Sequence, residues 1–313
     1  MMKQLITALL AIILLIPAVG TAGASDHNTD EGIDERFGLP ILVLGGNLDD
    51  NQKQEVREML GVTDPESVEE VVVTGEDLVR YIEGEDSRAR MFSSAKITRQ
   101  DEGHGLVIER VNPENITQVT DTMYANALLT AGIENATVEI ASPVKVSGHS
   151  ALTGIYKAYE VSGEELDTAR LEVANDELNL ATDLAEEEGI DQEKVSELLA
   201  EIKQAIAEQN PATREDVEQI INEQLSNLEI NLSEEDRQRL TDLFEQMRNL
   251  NINFDNVSEQ LNDLSTAIQD RLSDVVNDEG FWQGVRDFFQ GLIDAISGLF
   301  GGSEEEPINE SQQ

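Results

Sequence analysis

The chain has 313 residues, no cysteine, three histidines, and 64 acidic against 21 basic side chains, for a formal net charge of −43. Disulfides and thiol catalysis are thereby excluded, a zinc centre built on Cys or clustered His lacks its ligands, and the charge opposes both nucleic acid and an anionic membrane. Self-repulsion on this scale is relieved by salt, and arginine outnumbers lysine two to one, so the composition is that of halophilic or alkaliphilic adaptation to an ion-rich exterior.

Residues 1–24 read as a signal peptide. Lys3 supplies the positive end, Leu5 to Ile16 is apolar apart from Thr7, Pro17 and Gly20 break the helix, and Ala22-Gly23-Ala24 forms a small-x-small cleavage site before Ser25. The apolar run is shorter than the roughly 20 residues that span a bilayer. The sequence therefore predicts export and an extracellular or cell-envelope location. Residues 25–38 are a polar, flexible leader.

Residues 39–162 predict an α+β domain, a small mixed β-sheet with helices. Ile41 to Leu44 is a buried strand, turned by Gly45-Gly46-Asn47, and Asn47 or Asp49 caps a helix that Gly61 ends. Val68 to Val73 is a second strand. Thr74 with Asp77 resembles a capping box and opens a short helix carrying Leu78, Val79 and Ile82. Strands at about 92–98 and 105–111, joined by a turn at Gly103-His104-Gly105, predict a hairpin. Thr120 caps a helix that Gly132 stops, Ala136 to Ala141 is the next strand, and a helix follows near Ser150 to Tyr159.

After Gly163 the strand signals cease, and 163–280 predicts an all-helical C-terminal region with helices at about 164–187, 191–208, 213–228, 233–250 and 254–277. The run Asn47 to Gln54 echoes Asn231 to Gln238; both open a helix, so shared capping chemistry accounts for the likeness. Residues 281–300 form an amphipathic aromatic helix with Phe281, Trp282, Val285, Phe288, Phe289, Leu292, Ile293, Ile296 and Phe300 on one stripe and glycines at 284, 291 and 298 on its edge. Three roles are open to it: core packing, self-association or contact with an envelope protein, and a membrane interface. Asp287 and Asp294 against a single Arg286 disfavour the last, because interfacial helices carry basic residues. Residues 301–313 are an acidic tail.

The runs Asn115-Ile116-Thr117, Met123 to Leu128, Thr130 to Ile133, Ala141-Ser142-Pro143, Val146-Ser147-Gly148 and Ala151 to Glu160, with the Leu44 to Leu48 opening, resemble the YpuA-like secreted bacterial family, domain of unknown function 1002. The resemblance spans nearly the whole exported chain. It implies an exported protein of Gram-positive-type bacteria and brings no catalytic residues with it. The family usually carries a small residue such as threonine where His149 stands, so the resemblance assigns His149 no shared role.

No stretch carries a catalytic signature. Gly148-His149-Ser150 lacks the second glycine of a nucleophile elbow, its place being taken by Leu152, so Ser147 or Ser150 is expected to cap the following helix. No EF-hand loop occurs, Gly45-Gly46-Asn47 lacks the lysine of a phosphate loop, and no cofactor is expected beyond weak surface binding of divalent cations. The sequence thus points to a non-enzymatic envelope protein acting through protein contacts. The interaction residues singled out are the aromatic stripe, with Tyr124, Asn126, Tyr156 and Tyr159 as a motif surface whose competing role is packing. The alternative is a cell-wall-directed hydrolase using carboxylates. From the charge alone, the melting temperature should rise with added salt; a flat response between low and molar salt would refute the self-repulsion argument.

Overall fold

The computed structural model describes residues 38–250 together with residues 252 and 260. The signal peptide, the leader up to residue 37, nearly all of the helix expected at 254–277, the aromatic stripe and the acidic tail lie outside them. The described chain is α+β, as its sequence predicts.

Strand β1 (Ile41–Gly45) is buried along its whole length. Its alternating side chains serve two faces: Leu42 and Leu44 pack with Val56 and Leu60 on one side, while Ile41 and Val43 join the larger core on the other. Helix α1 (Asp50–Met59) is opened by Asp49, not Asn47. The Asp49 carboxylate accepts the Gln52 N–H at 2.9 Å, and the Gln52 side chain accepts the Asp49 N–H at 3.0 Å. Strand β2 (Glu69–Val73) runs parallel to β1. Helix α2 (Gly75–Tyr81) begins at Thr74, whose N–H and hydroxyl both donate to the Asp77 carboxylate at 2.8 and 3.0 Å.

Strands β3 (Ser94–Arg99), β4 (Leu106–Arg110) and β5 (Ala136–Ala141) complete a sheet of order β2-β1-β3-β5-β4. The expected hairpin is corrected here. β5 lies between β3 and β4, antiparallel to the first and parallel to the second. The turn does form, with Gly103 and Gly105 at positive φ, but both glycine N–H groups donate to the Asn135 side chain at 3.0 Å, which ties the turn to the entry of β5. Helix α3 (Asp121–Ala131) supplies the crossover that a parallel β4–β5 pair requires. Thr120 caps it, and Gly132 ends it at φ 89°, where an added Cβ would lie 3.0 Å from the Arg170 guanidinium.

Helices α4 (Ser150–Val161), α5 (Thr168–Glu187), α6 (Gln192–Gln209), α7 (Arg214–Asn227) and α8 (Glu234–Asn249) follow, each within a few residues of its predicted span. The echo between the openings of α1 and α8 is capping chemistry, for Ser233 caps α8 as Asp49 caps α1. The larger apolar core runs from Ile41 through α3, α4 and α5 to Met247 and Ile252, so sheet and helices share it across residue 163. None of the described helices is long and apolar enough to cross a membrane.

One ion pair lies inside this core. Lys203 of α6 and Glu177 of α5, 0% and 1% exposed, meet at 2.5 Å. The ammonium also donates to the Asn126 carbonyl at 2.8 Å and to its side-chain oxygen at 3.2 Å, while the Thr130 hydroxyl donates to Glu177 at 2.5 Å. Burial draws the Lys203 proton affinity down and Glu177 restores part of it. Breaking such a pair leaves a buried charge uncompensated, at about 3–5 kcal/mol. Lys203→Met should therefore destabilise the protein by about that amount in denaturant unfolding. Lys203→Met combined with Glu177→Leu should recover most of the loss; a double variant as unstable as the sum of the single ones would show that the two charges are not coupled.

Candidate functional site

Strands β1, β2, β4 and β5 all run in one direction, with β3 alone reversed. Their carboxyl ends and the start of β3 therefore lie together. Open sheets of this kind take ligands outside the carboxyl ends of their parallel strands. A cleft of about 450 Å³ opens there.

Local sequence explains each wall. The turn after β1 grips the segment before β3: Asn47 accepts the Met91 N–H at 2.8 Å through its side chain and donates its own N–H to the Met91 carbonyl at 3.0 Å. Met91 and Phe92 so form one apolar wall, and Arg90 stands over the Phe92 ring, its guanidinium carbon 5.6 Å from the centroid. The loop after β5 forms the opposite wall with Val144, Lys145, Val146 and Ser147. The segment 112–119 holds that loop. Asn112 and Asn115 donate to the Ser142 carbonyl at 2.7 and 2.9 Å, and Thr117 donates its N–H to the Val146 carbonyl at 3.0 Å. Tyr124 donates its hydroxyl to the Gly148 carbonyl at 2.6 Å. Gly148 sits at φ 115°, and a Cβ there would approach the Tyr124 hydroxyl to 2.7 Å, so only glycine fits. Leu78 of α2 and Asn175 and Asn179 of α5 close the remaining side.

His149 stands at the base of α4. Its Nε2 lies 3.2 Å from the Thr182 hydroxyl, which itself donates to the Asn179 carbonyl, so the network assigns the proton to Nε2. Nδ1 then accepts from the Ser147 hydroxyl at 3.1 Å. Burial holds the imidazole below its usual proton affinity, with Asp183 and Glu186 pulling weakly the other way. The expected cap by Ser147 or Ser150 is corrected. No side chain caps α4, because Ser147 is turned onto His149 and the helical backbone already begins at His149.

The four residues read as a motif surface are interior. Tyr124 and Asn126 are fully buried, Tyr156 is 1% exposed and Tyr159 8%. Asn126 donates to the Ser196 carbonyl at 3.0 Å and receives Lys203. Tyr156 meets the edge of Tyr81, with ring centroids 6.1 Å apart, and burial keeps its hydroxyl protonated. Burial likewise pushes the Tyr159 hydroxyl up to about 12. Packing is thus their role, and only Tyr124 reaches the cleft wall, through Gly148. The aromatic stripe at 281–300 lies outside the described residues. Sequence reasoning passed over Arg90, Lys145, Asn175 and Asn179. Asn175 did carry a signal: it falls on the buried stripe of α5 with Leu171, Ala174 and Leu178, where a polar residue is out of place.

An ion pair fixes α2 beside the cleft. Lys157 of α4 reaches both Asp77 oxygens at 2.7 Å. Burial raises the Asp77 proton affinity, but Lys157 and the Thr74 donors outweigh it, and the carboxyl is held below its ordinary value. A carboxyl depressed in the folded state contributes stability above its unfolded pKa, near roughly 4, and that contribution is lost as pH falls through the folded value. Asp77→Asn should therefore be less stable than the parent at pH 7, and the gap should narrow below about pH 4. Unfolding curves at pH 7 and pH 3 with an unchanged gap would contradict this.

The profile of a family described as protein of unknown function, DUF1002, matches residues 44–264. The chain is also similar to "Uncharacterized protein YpuA" of Bacillus subtilis (strain 168), 34% identical over 311 residues that cover 96% of this chain and 100% of that relative. No solved structure matches it.

Proposed function

The chain belongs to the DUF1002 family of proteins of unknown function, and on that premise we propose that it is an exported, non-catalytic binding protein of the cell envelope. The observation that carries the reading is the cleft at the strand ends. Its walls are held by residues of the runs that mark the family, Asn115, Thr117, Tyr124, Ser142 and Gly148. Its lining offers hydrogen-bonding amides, two cations and apolar side chains, the mixture that orients a bound molecule. Among the lining residues Glu85 is the one carboxylate, whereas glycoside hydrolysis uses two. The hydrophobic leader supports export, and the apolar stripe at 281–300 supports attachment to an envelope protein or to a second copy of the chain.

A cell-wall hydrolase is the second reading, favoured by one contact. Ser147 donates to His149 within the cleft, which is the pairing a serine nucleophile needs. Thr182, not a carboxylate, orients the imidazole, so the third member of a triad is replaced by a neutral hydroxyl.

Secretion from an exporting host separates these readings. The released protein should begin near Ser25 by mass spectrometry, fractionate with the envelope, and lose that association when 281–313 is deleted. It should liberate no soluble fragments from purified cell walls. Intact Met1 in a cytosolic product would sink the export reading, and fragment release abolished by Ser147→Ala would establish the hydrolase instead.

A further inference from the structure

We infer that the cleft seats a small monoanionic acid with an apolar body, its charged end held by Asn175, with Arg90 and Lys145 at the rim. The inference rests on the reading of the cleft as a binding site and adds the class of ligand.

Two independent features converge. The start of α4 contributes little here, since the Ala151 and Leu152 N–H groups donate to the Gly148 and His149 carbonyls at 3.0 and 3.2 Å. Asn175 is 8% exposed, lines the same cleft and makes no side-chain hydrogen bond among the described residues. A buried amide is ordinarily paired, so one turned to a cleft without a partner marks a place where a ligand completes it.

Charge is the second feature. In this acidic chain most described cations are spent on carboxylates, as in Arg57–Glu70, Arg110–Asp121 and Lys157–Asp77. Among the described residues Arg90 and Lys145 pair with no carboxylate, and both line the cleft. Set against Glu85, they leave the lining one unit positive inside a protein of net charge −43. One negative charge matches that balance, and Glu85 opposes a second. Leu78, Met91, Phe92 and Val146 furnish the apolar surface for the rest of the molecule. The volume lies in the lower part of the range for small-molecule sites.

Titration calorimetry on the full exported chain tests this, at about 0.15 M salt to shorten the reach of the overall charge to about 8 Å. The probes are N-acetylphenylalanine, its amide, and hexyl methyl phosphate; the two acids share the monoanionic head and separate a carboxylate from a phosphate source. At least one acid should bind about tenfold more tightly than the amide, since hydrogen bonds to an ionised group are roughly twice as strong as neutral ones. Asn175→Ala, Arg90→Ala and Lys145→Ala should each weaken it severalfold, whereas Lys53→Ala, on α1 away from the cleft, should not. Circular dichroism of each variant confirms folding. Equal binding of acid and amide would overturn the anion assignment while leaving the cleft a binding site. No heat from any probe up to about 10 mM would remove the binding reading as well.

Discussion

The pair of Lys203 and Glu177 organises the interior. A charge buried in apolar surroundings tolerates few arrangements, because each displaced donor or acceptor loses its only compensation. Lys203 joins α6 to α5 through Glu177 and to α3 through Asn126, and Thr130 of α3 completes the Glu177 shell. Asn126 then returns a hydrogen bond to Ser196 of α6. Leucines alone would let these three helices slide past one another at little cost; the ions fix their register. That register places Asn175, two residues before Glu177, at the cleft, and Thr182 beneath His149.

The sheet determines the cleft from the other side. Reversing one central strand brings the amino end of β3 beside the carboxyl ends of four others. The segment that precedes β3 and the loop that follows β5 then face each other across a gap, each braced from behind, by Asn47 on one side and by Asn112, Asn115 and Tyr124 on the other. Polar residues that look like candidate ligand contacts in the family runs act instead as struts for the loop backbone. Residues free to meet a ligand come from segments with no distinctive spacing, which is why a scan for signatures passes over them.

The acidic surface and the cleft work in opposite senses. Carboxylates crowd the exterior, where solvent and salt screen them, and pair with most of the described cations. Arg90 and Lys145 escape this, Arg90 by standing over Phe92. A small unit of positive charge at the cleft is then a local property that the total charge conceals.

Much of the architecture was legible from sequence. Capping chemistry at Thr74 and Thr120, and helical stops such as Gly132, are written in residues within a few positions of one another, so they read correctly in isolation. Among the described residues periodicity likewise located five strands and eight helices, and with them the α+β class. Pairing was not legible. β4 satisfies the same alternation whether β3 or β5 lies beside it, and only the packing of α3 and the tether of Gly103 and Gly105 to Asn135 select β5. Nor could spacing tell that Tyr124, Asn126 and Tyr156 face inward, because aromatic and amide side chains serve core and surface alike. Local order was determined by the sequence alone, since caps and stripes act within one or two turns; strand neighbours and cleft residues were decided by tertiary structure, since they depend on contacts between segments far apart in the chain.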